Sequence, residues 1–314
     1  MPSKEEQLAA RLLAAVYANP ADDTARAVYA DHLSGLGHAR GEFIALQLQQ
    51  AQRPSRAAQT RINQLLRTHS QAFARPLVSI QHQHTGFERG FVDTIKVWRL
   101  DRLRELRTVR RLVVDDLSAT AVTLLTTEAL PELRSLFWVN SEHAKSLRHD
   151  GLTELGLVGH RFPKKHDLNA LPALKSLWVW NTESEPQRLL SLRAFRRLER
   201  LALQWREPGY GPSVPAWRSA LLSADSVPEA VSFWEDGPHT FPGSRGWEFR
   251  LEGPRLDHLQ VVWHGGYTRH ALSPLTPETV RAVGSIAISG ATGAALRAAR
   301  AFKAQAGRTV KLAA

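Results

Sequence analysis

The sequence contains no cysteine and a single methionine. Without cysteine there are no disulfides, no thiol nucleophile and no cysteine-ligated zinc. The 314 residues must therefore hold their fold by packing, and the composition suits a reducing, cytoplasmic setting. No run approaches the roughly 18–20 consecutive apolar residues of a membrane span. The N-terminal stretch MPSKEEQLAARLLAAVY mixes acids and bases among its apolar positions, unlike a secretory leader. A soluble chain without a membrane role is expected. G-x-S-x-G, the P-loop, G-x-G-x-x-G and H-E-x-x-H are all missing, so local motifs supply no catalytic residue, no cofactor and no metal site. Acidic residues are in short supply: 30 stand against 41 Lys and Arg, for a net charge of +11. That excess is spread as +3, +5 and +3 over residues 1–85, 86–205 and 206–314, without the concentrated stripe that phosphate binding needs.

What is present is a globular composition, 43% hydrophobic, in two regions of different periodicity. Residues 3–18 place Leu8, Leu12, Leu13 and Val16 at helical spacing behind a Ser3-x-x-Glu6 capping box. Pro20 breaks that helix, Asp22 or Asp23 offers the next N-cap, and Gly35 and Gly37 close a second helix. Third and fourth helices are expected from about Gly41 and Ala57. A helical region over 1–85 follows, with the rest of the chain, 86–314, forming a second region.

The stretch LLAAVYANPADDTARAVYADHLSGLGHARGEFIALQLQ, about residues 8–48, resembles the bacterial repeat-companion domain. That family's pattern is a helix, an N-P-x-D-D turn, a YADxL helix and RGEFIxLQ. Here Tyr29-Ala30-Asp31 and Arg40-Gly41-Glu42-Phe43-Ile44 stand in order, with His32 where the family has tryptophan. The later FERGFVDTIKV, Phe87 to Val97, resembles the segment joining this domain to a repeat array. The resemblance implies architecture and little chemistry. Asp31, His32, Arg40 and Glu42 are read as helix caps and pairs across helix junctions rather than as a catalytic cluster.

From residue 92 a phrase recurs as RRLVVDD, RSLFWVN, TELGLVG, KSLWVWN and ERLALQW. Its first inward residues, Leu112, Leu136, Leu155, Leu177 and Leu201, are spaced by 24, 19, 22 and 24. This is the period of leucine-rich repeats, in which a short strand alternates with a helix or turn and stacking buries what one unit cannot. Leu130, Leu133, Leu171 and Leu174 precede strands, and Asn140 and Asn181 stand where the repeat's carbonyl-bonding asparagine belongs. WEFRLEG, DHLQVVW, GSIAISG and GRTVKLA continue the strand pattern, with an Ala-rich helix over 291–305. The expected fold is α/β: a leucine-rich repeat solenoid, a parallel-sheet horseshoe, behind an N-terminal α-helical domain. Residues 206–246 form an irregular segment, either hiding one irregular strand at AVSFWED or making a packed insertion.

Alternation along each strand sends Leu177 and Val179 inward and Trp178 and Trp180 outward. The same register yields an outward column of Lys96, Val113, Phe137, Gly156, Trp178, Ala202, Arg250, Gln260, Ala287 and Lys311. A neighbouring column reads Trp98, Asp115, Val139, Val158, Trp180, Gln204, Glu252 and Val262. Trp98, Val113, Phe137, Val139, Val158, Trp178 and Trp180 thus form an apolar strand face suited to a protein or peptide partner, unless the 206–246 segment or the helices fold over it. The reading is a non-catalytic binding scaffold. One rival is nucleic-acid binding by arginines on the connecting segments, among them Arg102, Arg104, Arg107, Arg110, Arg111, Arg193, Arg196, Arg197 and Arg200. Another is an enzyme site around Glu207, Asp225, Glu235, Asp236 and His239. His82 and His84 form an H-x-H pair without an obvious third ligand. His143, His149, His160, His166, His258, His264 and His270 read as solvated loop residues. The uncapped end at Val310 to Ala314 leaves an edge through which a homodimer can form.

Overall fold

The computed structural model describes residues 3–74, 85–97, 106–114, 119–159, 168–180, 189–190, 192–204, 214–224, 228–234, 247–252, 255–264, 272, 275–307 and 310–313. It is an α/β structure in which a mostly parallel, open sheet of twelve strands keeps its strands in chain order. The chain divides into two compact units, Met1–Trp138 with Leu147–Leu152, and Val139–Ser146 with Thr153–Ala314.

In the first unit the capping signals set the helix ends. Helix α1 (Lys4–Ala18) opens with the Ser3/Glu6 box, both bonds formed. Asp22 caps α2 (Asp23–Gly35) by accepting from the Thr24 N–H at 2.8 Å, and Ser55 caps α4 (Arg56–Phe73). Between them runs α3 (Ala39–Gln52). Val16, Tyr17, Tyr29, Leu33 and Ile44 close one core with Phe91, while Phe43, Ile62, Leu65 and Phe73 form another that Phe87 joins. Those two phenylalanines belong to the antiparallel hairpin of β1 (Thr85–Glu88) and β2 (Phe91–Val97). The hairpin therefore completes the helices' cores, and the unit does not stop at residue 85 where the secondary-structure type changes. Two glycines allow close approaches, Gly41 that of α3 to α2 and Gly90 that of the hairpin to α3. A Cβ on Gly41 would collide with Ser34 and the Ala30 carbonyl, and one on Gly90, at φ +81°, with Ile44.

Strands β3 (Arg111–Val114) and β4 (Ser135–Asn140) follow, with α5 (Ala119–Thr123) between them. The second unit contains β5 (Glu154–Val158), β6 (Ser176–Trp180), β7 (Arg200–Gln204), α6 (Val214–Leu222), β8 (Ala230–Trp234), β9 (Trp247–Glu252) and β10 (His258–Trp263). It ends with α7 (Pro277–Ala282), β11 (Ser285–Ser289), α8 (Gly293–Ala306) and β12 (Val310–Leu312).

The recurring leucines behave as their spacing requires. Leu112, Leu136, Leu155, Leu177 and Leu201 are buried, as are Leu130, Leu133, Leu171 and Leu174; each such side chain contributes about 1.5–3 kcal/mol. A backbone device recurs with them. The carbonyl of Arg110 accepts from the N–H groups of both Arg134 and Ser135, and Thr153 serves Lys175 and Ser176 in the same way. Lys175 serves Glu199 and Arg200 likewise, and Asp257 serves Gly284 and Ser285. This shared acceptor starts each of these four strands, β4, β6, β7 and β11, at the same place on its neighbour.

Three departures from the expected pattern matter. AVSFWED contains a regular strand, β8, paired parallel to β7. Strand β9 runs antiparallel to both β8 and β10. Trp138, inside β4, has φ +72°, a left-handed backbone that interrupts the two-residue alternation.

Candidate functional site

The strand register aligns most of the residues expected in the first column. Pairings run from Lys96 to Val113 to Phe137 in the first unit, and from Gly156 through Trp178, Ala202, Ser232, Arg250, Gln260 and Ala287 to Lys311 in the second. Ser232 enters because β8 is a full member of the sheet. In the neighbouring column, Gln204 pairs with Trp234, Trp234 with Glu248, and Glu248 with Val262. The antiparallel direction of β9 puts Glu248 where Glu252 was expected; Glu252 instead pairs with His258. Arg250, at the middle of the strand, keeps its place under the reversal.

The two stretches of this face differ in exposure. In the first unit Val113 and Phe137 are 4% and 3% exposed, and Lys96 is buried with its Nζ 4.4 Å from the Trp138 ring centroid. Val139, which begins the part of β4 in the second unit and was expected to face outward, is wholly buried: the left-handed Trp138 before it interrupts the alternation. Asn140, expected as an interior carbonyl-bonding residue, is exposed, and its Oδ1 accepts from the Glu142 N–H. In the second unit Val158 and Trp178 are half-buried, whereas Trp180 is 6% exposed, its ring stacked 6.0 Å from that of Trp178. Trp98, Asp115 and Asn181 lie outside the described residues.

Around Trp178 the second unit forms a cavity of about 200 Å³. Its small residues are Ala202, Ala230 and Ser232, and the side chains rising around them are Trp178, Arg200, Trp234, Glu248, Arg250 and His264. Replacing small residues on β7 and β8 by large ones would fill it, because those strands lie between Trp178 and Arg250 in the register. The aromatic rings form a row. Trp178 and Trp234 lie 5.9 Å apart, and Trp234 and His264 5.1 Å apart at an interplanar angle of 32°. Trp234 donates from Nε1 to Ser232 Oγ at 3.2 Å, which fixes the indole.

Glu248 ties the polar side together. Its side chain is 5% exposed, an expensive location for a carboxyl group without partners. Arg250 Nη2 donates to both of its oxygens at 3.1 Å, and His264 Nε2 lies 3.0 Å from Oε2. Glu248 thus orients a guanidinium on one side and holds an imidazole against Trp234 on the other. Arg250 also approaches Glu252 at 3.7 Å. Arg200 is exposed and, among the described residues, its side chain has no hydrogen-bond or ion-pair partner.

The row of Trp180 and Trp178 was legible from alternation. Ser232, Trp234, Glu248 and His264 were not brought to the site by sequence. One signal was present: only residues 253–257 separate β9 from β10, too few for a parallel crossover, which takes about a dozen.

Other candidates are used structurally. Glu42 receives a two-pronged grip from Arg61, at 2.6 and 2.8 Å, which lowers the Glu42 carboxyl below its usual range. The Arg40 guanidinium lies 5.2 Å from the Phe91 ring centroid. His149, expected to be solvated, is buried: its Nε2–H donates to the Leu130 carbonyl and its Nδ1 accepts from the Gly151 N–H. Arg107 donates to the Tyr17 and Glu128 carbonyls, and Arg110 to Glu88. Arg196 and Arg197 are exposed. Among the described residues no group of three His, Asp or Glu side chains can hold a metal, and no helix is long and apolar enough to cross a membrane. His82, His84, Arg102, Arg104, Glu207, Asp225, Glu235, Asp236 and His239 lie outside the described residues. No family model, curated protein or solved structure matches the chain.

Proposed function

We propose that this chain is a non-catalytic binding module, a repeat-companion helical region followed by a leucine-rich repeat solenoid, that holds a protein or peptide on the strand face. The row Trp180, Trp178, Trp234 and His264 beside a cavity of about 200 Å³ is the observation that carries the reading. Tryptophan is among the residues most enriched where binding energy concentrates. The cavity is smaller than the roughly 300–1,000 Å³ typical of sites for drug-sized ligands or cofactors, and suits a side chain anchoring a larger partner.

The test is affinity capture from lysate with wild type, Trp178→Ala and a cavity-filling Ala230→Phe, half of each sample treated with nuclease, after circular dichroism shows that all three fold alike. Proteins held by wild type and released by both variants, irrespective of nuclease, support the binding module. Retention that ignores both variants and disappears with nuclease transfers the function to the exposed arginines and nucleic acid.

A further inference from the structure

Resting on that reading, we propose that the cavity between β6 and β9 takes an acidic segment of a protein partner, one in which a carboxylate-bearing residue adjoins an apolar or aromatic one. The charges around the cavity are Arg200, Arg250 and Glu248. Arg250 is already committed to Glu248 at 3.1 Å and stands 3.7 Å from Glu252. Arg200 is left as the cation without a partner among the described residues, and it is exposed. Its planar fork matches a carboxylate with two parallel hydrogen bonds.

The register sets how such a segment lies. Arg200 pairs with Ala230 and Ala202 with Ser232, so small lining residues of the cavity lie beside Arg200. The indoles of Trp178 and Trp234 lie further along their strands, two residues beyond Ser176 and four beyond Ala230, the register partners of Arg200. A carboxylate at Arg200 places the next side chain of an extended segment within reach of the indoles, where its apolar surface leaves water. Ala202, Ala230 and Ser232 are small enough to admit it. The net charge of +11 acts in the same direction, raising the encounter rate with acidic partners. A cationic segment would meet Arg200 and Arg250, while the carboxylates nearby, Glu248 and Glu252, are both already beside Arg250.

A randomised heptapeptide library displayed on phage, selected on the full chain, tests this directly. Enrichment of Asp or Glu next to Phe, Tyr, Trp or Leu is expected. Synthetic versions of the selected peptides should bind Arg200→Glu and Trp178→Ala at least tenfold more weakly than wild type, and Arg200→Glu should itself select Lys- or Arg-containing peptides. Arg200 is exposed and its side chain makes no hydrogen bond or ion pair among the described residues, so its reversal breaks none, and circular dichroism of Arg200→Glu checks that the fold is kept. Enriched peptides that lack acids, or acidic peptides that bind Arg200→Glu within twofold of wild type, overturn the inference. If such peptides still lose affinity with Trp178→Ala, the binding-module reading survives without it; if no peptide is enriched over a bare support, both fall.

Discussion

The helices with their first hairpin and the β6–β10 region use the same two ingredients, arginine and aromatic rings, to opposite ends. Beside Phe91, Arg26 is fully used. Arg26 is 1% exposed, its Nε and Nη2 donate to the Pro20 carbonyl and its Nη1 to that of Arg89, and its guanidinium lies 4.7 Å from the Phe91 ring centroid. Burial and the neighbouring Arg89 pull its pKa down to about 10, so it stays a cation at neutral pH. Around Trp178 the rings stand beside open space and Arg200 is unspent. A cationic and aromatic composition therefore does not by itself mark a binding surface. Whether backbone carbonyls are available to satisfy the guanidinium separates a structural arginine from a free one.

The largest effect expected from this contrast is at Arg26. Arg26→Met removes the donors to two carbonyls and should cost about 3 kcal/mol, at about 1–3 kcal/mol for each unsatisfied buried group, read from urea unfolding. A cost under about 1 kcal/mol, within the range of surface substitutions and mild core changes, would erase the distinction between the two regions. Glu248→Gln comes next. It keeps the shape but weakens the hold on Arg250 and His264, both partly exposed and able to regain water, so about 1–2 kcal/mol is expected, with the Trp fluorescence shifted as the His264 contact with Trp234 loosens.

Trp178→Ala sharpens the comparison from the other side. The ring is half-buried, so stability should fall by only about 1 kcal/mol, whereas partner affinity should drop about thirtyfold, the 2 kcal/mol expected of a hot-spot tryptophan. Equal losses in both measurements would make Trp178 a packing residue like Phe91.

The smallest effects are two pH slopes of opposite sign in the first unit. Burial and the nearby Glu88 raise the Asp93 carboxyl above its ordinary 3.8, although Arg110 stands 3.8 Å away. The folded chain then holds that proton more tightly than the unfolded one, so stability falls as pH rises from about 3.8 through the raised value. Asp93→Asn should flatten this part of the profile. Burial lowers His149 below its ordinary 6.5. Its contribution is present above 6.5 and lost as pH falls through the lowered value, because protonation of Nδ1 forfeits the Gly151 N–H bond. Thermal unfolding of His149→Gln across this window should show a shallower acid slope than wild type.

How much was legible differs between elements. The capping box at Ser3 and the buried leucine ladder are local or periodic properties that the sequence carried in full, and Asp22 was one of the two adjacent candidates for the second cap. Trp178 came from the same alternation, since nothing in β6 disturbs it. Val139 failed because one left-handed residue, Trp138, shifts every following side chain to the other face, and tryptophan carries no signal for that conformation. His149 failed because its partners, the Leu130 carbonyl and the Gly151 N–H, are invisible as side-chain types.

In the strands that alternate without interruption, the sequence by itself determined which residues share a face, because a period of two is the same read in either direction. For that reason Arg250, at the middle of β9, was placed correctly in a strand whose direction was misjudged. Only the tertiary structure decided which end of β9 meets Trp234. Reversing a strand about its centre leaves every residue on its face but exchanges the two ends, and that exchange put Glu248 rather than Glu252 between Arg250 and His264.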